Sequence, residues 1–384
     1  VLDETAGYAL NLGGRDKSQR HPSPGTYFFD VVASAETSRI DWPIGLERPE
    51  PGPLIVYLDL NHWIGLAKAA KGHREGVRYV DALAACRAAL ADERAIFPLS
   101  GVHYMEVSKI ERRERRSDLA ATMMELSRFN TLIGRAKLLD IEREAAIDAV
   151  ALPRAFKPEP WPYLGWGVMH CLGRTGALKL EGSPETMQQI PDDLVKRIEA
   201  KTQLRFEYMS LAGPQNNAER TELERRGWEP AGSARVAEER AQAEREQVER
   251  LNKDEYYRRK RLHDVVYARE VVTELQALNK SLESRPPLTK TLLASKEQLD
   301  AMLALMPSLT VTIELKVGYH RNPQTKWTSN AIFDIDAMSV AVPYCDIVAA
   351  DNQVRSVLRQ AKLHETMGTA IISSPDQLVD LLID

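Results

Sequence analysis

The sequence predicts an α/β protein in which one parallel sheet is assembled from the two ends of the chain, with a long helical insertion between them. Three observations carry this. Two short, near-continuous apolar runs end on an acid, LIVYLD at 54–59 and IVAAD at 347–351, as interior strands of a parallel sheet covered on both faces do. Helical patterns follow each run. Between about 195 and 285 the text becomes charged helix, polar nearly all round in its first half.

Length and composition set the bounds. At 384 residues, 43% of them hydrophobic, the chain can bury a substantial core as two domains or as one domain with an insertion. A net charge of −4 with 28% charged residues leaves any polyanion contact to a local patch. Cys86, Cys171 and Cys345 are odd in number and far apart, which argues against a disulfide framework or a zinc cluster and for a reducing compartment. The first residues hold no apolar stretch of signal-peptide length, and nowhere do eighteen apolar residues run together. A soluble cytoplasmic protein with no membrane segment is expected.

In chain order, residues 1–50 read as an extension and linker, with a strand-like run at 27–32. Residues 51–150 form the first part of the α/β unit. LIVYL is a strand that delivers Asp59 to its carboxyl end, and Asn61-His62-Trp63 opens a helix. A second helix covers 77–91. AIFPL at 95–99 is a second strand, and Ser100 is the N-cap of a helix that carries Glu106. The segment 119–129 continues the helices.

Residues 151–300 are the mainly helical insertion, or arm. Its early part is rich in Pro, Gly and aromatics, with Trp161, Tyr163 and Trp166 read as satellite core. No Pro or Gly interrupts 234–280, so a nearly continuous helix projecting from the body is expected, separable from it because only Leu262 to Leu278 offers a face to bury. Tyr256-Tyr257-Arg258-Arg259-Lys260-Arg261 is its one compact basic cluster; Arg258, Arg259 and Arg261 are candidate phosphate contacts, against the plainer reading of a solvated helix. Arg285-Pro286-Pro287 punctuates the return.

Residues 301–384 form the second part of the α/β unit. Asp334 and Asp336 open an apolar helical segment stopped by Pro343-Tyr344, and the strand IVAA delivers Asp351. A helix at 353–364, a strand at 369–372 and a helix at 375–383 close the chain. Ligands sit beyond the carboxyl ends of strands in open α/β sheets, so Asp351 is placed for chemistry, whereas Asp346, at the strand's other end, is structural.

The two halves are expected to bring Asp59, Glu106, Asp334 and Asp351 to one edge. Carboxylates that share a cleft raise one another's pKa unless a cation neutralises them, and Mg²⁺ or Mn²⁺, which prefer oxygen ligands, can do so. An acid at a strand end is also a common helix N-cap, so each alone is weak evidence. No glycine-rich phosphate loop, HExxH or GxSxG is present.

VYLDLNHWIGLAKA, FPLSGVHYMEVSK, RSDLAATMMELSR and NAIFDIDAMSVAVPYCDIVAAD together resemble a bacterial branch of the PIN-domain nucleases, over about 150 residues at the two ends. The resemblance implies a PIN-like, Rossmann-like parallel sheet and a divalent-metal-dependent endonuclease, RNA favoured over DNA. It further implies an endoribonuclease that acts as a toxin or defence effector. Asp59, Glu106, Asp334 and Asp351 would be the catalytic and metal-holding acids, with Asn61 and Asn330 close by. The insertion, which the resemblance does not cover, would position nucleic acid or a partner protein. One departure stands out: the branch reads Asn-Asp-x-x-Asp where this chain has Asn330-Ala331, with Asp334 in the later place. Asp336 could stand in, but two residues along a helix it points away from Asp334. The departure implies a weakened or disabled nuclease, and the alternative to catalysis is a PIN-like module that only binds nucleic acid or protein.

Overall fold

The computed structural model describes residues 52–151, 163–174, 190–225, 230–283 and 296–383. The extension at 1–50, Trp161 and the Arg-Pro-Pro punctuation at 285–287 lie outside the described residues. The fold is mixed α/β and mostly helical, with a small parallel sheet flanked by helices.

Six strands are present among the described residues: β1 (Leu54–Leu58), β2 (Ala95–Ile96), β3 (Asn130–Leu132), β4 (Leu164–Trp166), β5 (Ile347–Ala349) and β6 (Ala370–Ile372). The main sheet runs β2-β1-β5-β6, all parallel, with Leu58 opposite Ala349 and Ala349 opposite Ile372. β3 and β4 pair antiparallel, and β3 is tied to the segment after β2 by a single parallel bridge, Leu99 to Thr131. The spatial order is thus β3-β2-β1-β5-β6. The first three strands are laid down in one direction from β1, and the chain returns to the other side of β1 only after the insertion.

Both faces of the sheet are covered, which is why its strands are apolar throughout rather than alternating. Ile55, Tyr57, Val348 and Ala350 face one core with the helices Pro307–Arg321, Ser329–Tyr344 and Asn352–Gln360. Val56, Leu58, Ile347 and Ala349 face the other, with the helices Leu60–Ala70, Val80–Ala91, Arg113–Ser127 and Pro375–Ile383. Truncating a fully buried strand residue such as Leu58 to Ala would cost about 2–5 kcal/mol. Gly65 lets the Tyr79 ring lie across the first helix, since a Cβ there would fall 2.3 Å from that ring.

Two helices near the return take their shape from their first turns. The β-branched run at 310–315 lies inside the Pro307–Arg321 helix, which starts with Pro in its first turn and has both oxygens of the buried Glu142 carboxylate accepting Ser308 N–H at 3.1 Å. The Ser329–Tyr344 helix starts earlier than its apolar core suggests, capped by Thr328, and absorbs Pro343 in its last turn. Asn330, Ala331 and Asp334 therefore share its opening turns.

The insertion corrects the expectation of a projecting, separable arm. Its helix breaks twice, into Pro230–Lys253, Glu255–Lys260 and Leu262–Glu283. Ala237 and Ala241 join the core against the sheet-covering helices. Leu251, Leu262, Val266, Val271 and Leu278 pack with Leu139, Ile147, Met302, Leu309 and Ile313. Between these layers Lys316 is held by Glu244 at 2.9 Å and Glu270 at 2.6 Å, and His320 Nε2 by Glu244 at 2.9 Å, all four residues buried. The polar residues of the insertion are thus part of its buried face. Among the described residues no single helix is long and apolar enough to cross a membrane.

Candidate acidic site

β1 and β5 are neighbours whose following helices lie on opposite faces of the sheet, so their carboxyl ends border the crevice where open α/β sheets take ligands. Asp59 follows β1 directly, anchored by its N–H to the Ala349 carbonyl at 2.9 Å. Asp351 stands two residues beyond β5 and caps the Asn352–Gln360 helix, where Oδ1 accepts Val354 N–H at 2.8 Å. That cap uses one of its two oxygens. Asp346, at the other end of β5, accepts Ile55 N–H at 2.6 Å, a structural use.

Glu106 reaches this edge from the Gly101–Ser108 helix, and the side chain that sets the helix in place is His103. Fully buried, it stacks on Tyr57 with ring centroids 5.1 Å apart. Its Nδ1 accepts Ser100 N–H at 2.9 Å, which leaves Nε2–H to donate to the Leu58 carbonyl at 2.9 Å. The helix bearing Glu106 is thereby fixed to the residue before Asp59. Burial holds the imidazole down to about 4, so it stays neutral.

Asp334 completes the group from the opening turns of the Ser329–Tyr344 helix. The four acids act on one another. Burial raises the Asp334 carboxyl to about 8, with the charges of Asp59, Asp351 and Glu106 adding to the shift and Lys109 opposing it. Burial and then Asp59 raise Glu106 to about 7, again opposed by Lys109. Asp59 is raised by burial and by Asp351, against the Leu60 amide. Burial first, then Asp334, Asp351 and Asp59, raise the Tyr319 hydroxyl. Asp59 and Asp351 thus stand at adjacent strand ends, and Glu106 and Asp334 lie near enough to act on them electrostatically.

Lys109 was not singled out by sequence reasoning. Its ammonium donates to Asn330 Oδ1 at 3.3 Å and lies 4.2 Å from the Phe333 ring centre. Its spacing of three from Glu106, as the residue that follows that helix, was the only local signal. His103 carried a better one, since Ser100-x-x-His103 has capping-box spacing. Tyr319 had none.

The remaining candidates sort by what they touch. Asn61 Nδ2 donates to Asp59 Oδ2 at 3.4 Å. Ala331 is buried, with its N–H on Thr328 Oγ1 at 3.4 Å. Asp336 is not available as a substitute ligand: Arg240 grips it through two hydrogen bonds of 2.6 and 2.8 Å, and Arg135 approaches to 3.6 Å. Arg259 pairs with Glu255, Arg258 with Asn252 and Arg261 with Asp264, on the short Glu255–Lys260 helix and the residue after it.

Carboxylate oxygens are the donor set that a hard divalent cation takes, and the Lys109 ammonium among them opposes it. Their spacing is looser: among the described residues, no group of three or more His, Cys, Asp or Glu side chains is arranged to hold a metal ion. Mg²⁺ keeps several waters and commonly takes only one or two carboxylates directly, so the donor chemistry fits such an ion held by a pair, with the other acids reaching it through water. No protein-family model, curated protein or solved structure matches the chain.

Proposed function

We propose that this chain is a PIN-like, divalent-metal-dependent nuclease that cleaves RNA in preference to DNA. The observation that carries the reading is the convergence of Asp59, Glu106, Asp334 and Asp351 beside the adjacent ends of β1 and β5, with Lys109 as the cation that offsets them. The strand order β3-β2-β1-β5-β6 supports the PIN-like assignment that the sequence motifs imply. Asp59 and Asp351, on neighbouring strands, are the pair that would hold Mg²⁺ or Mn²⁺ directly, and Glu106 and Asp334 would orient water around it. When bound, the ion supplies Lewis acidity at the phosphodiester and lowers the pKa of water. Glu106, raised to about 7, is suited to accept a proton near neutral pH.

A second reading has its own observation. Among the described residues no three acids close on one ion, and Ala331 occupies a position where the resembling nucleases carry an acid. On spacing alone this favours a PIN-like module that binds nucleic acid or protein without cleaving it; on charge the cleft favours the first. Incubation of end-labelled RNA and DNA with the protein in Mn²⁺, in EDTA, and with Asp59→Asn separates the two. Cleavage that requires both Mn²⁺ and Asp59 supports the nuclease, and intact substrates in every arm leave the binding module.

A further inference from the structure

The Glu255–Lys260 helix and the end of the Pro307–Arg321 helix, which are far apart in sequence, form a second feature that the acidic cleft does not use. Arg258, Arg259, Lys260, Leu262, His263, Arg321 and Pro323 line a pocket of about 500 Å³. Three acids bear on this group: Glu255 pairs with Arg259, Asp264 with the neighbouring Arg261, and Glu314 with His263. Lys260 and Arg321 form no ion pair among the described residues and are exposed, and the carboxamide of Asn252, which Arg258 contacts, leaves that charge unneutralised. Three full positive charges thus converge on one concavity in a protein whose net charge is −4.

The flanking surface is aromatic. Tyr256 and Tyr257 are 58% and 48% exposed, too open for core residues, and meet edge to face with centroids 5.6 Å apart. Unmatched cations beside exposed rings are what a single nucleic-acid strand requires, since the cations take phosphates and the rings offer stacking faces to bases.

We propose that this pocket is a phosphate-binding subsite for single-stranded nucleic acid, with Lys260 and Arg321 as its principal contacts and Arg258 in support. The pocket stands independently of the nuclease reading. Arg261, a candidate from sequence, is paired with Asp264 and gives way here to Lys260 and Arg321.

The test measures binding of short fluorescently labelled single-stranded RNA and DNA in EDTA, which isolates the pocket from any metal-dependent contact, over a range of salt. The full chain is compared with Lys260→Gln/Arg321→Gln and with the charge-keeping Lys260→Arg/Arg321→Lys. Loss of two phosphate contacts should weaken binding about tenfold at moderate salt and lower the slope of log K against log salt by about 1.4. The charge-keeping variant should retain most of both. Equal affinity and slope in all three proteins would overturn the proposal, as would binding of polyglutamate as tight as that of the strands. A chain that binds strands in this way yet cleaves nothing in Mn²⁺ would keep the pocket and lose the nuclease; one that cleaves, with a Gln variant that binds like the parent, would lose the pocket alone.

Discussion

Lys109 and Asn330, from opposite ends of the sequence, meet at 3.3 Å at the acidic cleft, and the lysine is the cation that lowers the pKa of both Glu106 and Asp334. An ammonium in this position competes with a metal ion for the same negative field. Lys109→Met should therefore tighten Mn²⁺ binding severalfold, as removal of one partly exposed charge is worth about 1 kcal/mol at this range. Calorimetric titration checks it, and weaker binding in the variant would show that Lys109 organises the site rather than competing for it.

The acid cluster carries a pH signature. Asp334 keeps its proton in the folded state up to about pH 8 but loses it near 3.8 when unfolded. Between those values the folded state binds the extra proton, so the stability this group contributes falls as pH rises through the window. Asp334→Asn should raise the stability of the metal-free protein relative to the parent by about 1–2 kcal/mol at pH 8, and by much less at pH 5. The same variant should lose the stabilisation that Mn²⁺ gives the parent. Thermal melts at both pH values, with and without Mn²⁺, decide this; a variant no more stable at pH 8 than the parent would mean the carboxyl is not strained by its neighbours.

His103 works in the opposite sense. Its unfolded imidazole takes a proton near 6.5 and the folded one only near 4, so its contribution is present in full above 6.5 and is lost as pH falls through that window. The slope is at most about 1.4 kcal/mol per pH unit. His103→Gln cannot titrate and should flatten the dependence of stability on pH between 5 and 7, measured by urea unfolding. If parent and variant keep the same slope, the histidine is not the group responsible.

Much of the sheet and of the acidic cluster was legible in the sequence, for a local reason: an apolar run ending on an acid, as at Asp59 and Asp351, states both the strand and the placement of the carboxylate. The insertion was not legible. The buried stripe of the Pro230–Lys253 helix is Ala237, Ala241, Glu244, Gln247 and Leu251, spaced as a helix face should be, but Glu244 and Gln247 make it read as polar. Its partners Lys316 and His320 are more than seventy positions away, so no local pattern marks it as a buried pair. Lys109 was missed for the same reason, since its role exists only once Asn330 is beside it; the spacing of His103 from Ser100 marked a cap but not its bond to Leu58.

That packing reverses the expectation for deletion of the insertion. Removing 200–285 with a Gly-Ser bridge would strip Leu262, Val266 and Leu278 from the helices they cover and leave Lys316 without Glu244 and Glu270. The product should aggregate. A milder variant isolates the charge: Glu244→Ala leaves Lys316 and His320 short of a buried partner and should cost about 3–5 kcal/mol. A soluble, cooperatively melting deletion product would restore the separable arm.

The final prediction concerns Ala331. It shares a helical face with Asp334, one turn away, in the first turn of the Ser329–Tyr344 helix, two residues after that helix begins and one after Asn330. A carboxylate there gains from the helix N-terminus and loses to repulsion from Asp334, so Ala331→Asp should be destabilising in EDTA by about 1 kcal/mol or more. A divalent cation should reverse the sign, because the new carboxylate adds an oxygen ligand where no three acids now close on an ion. Metal-dependent cleavage should rise strongly, and Asp59→Asn in the same background should abolish the gain. Parent and Ala331→Asp are compared over a range of Mn²⁺ by melting, by metal titration and by cleavage of labelled RNA. Equal metal affinity and equal cleavage in the two would show that position 331 lies outside the site. A gain in affinity without cleavage would leave the cleft a metal-binding grip, which is the second reading of its function.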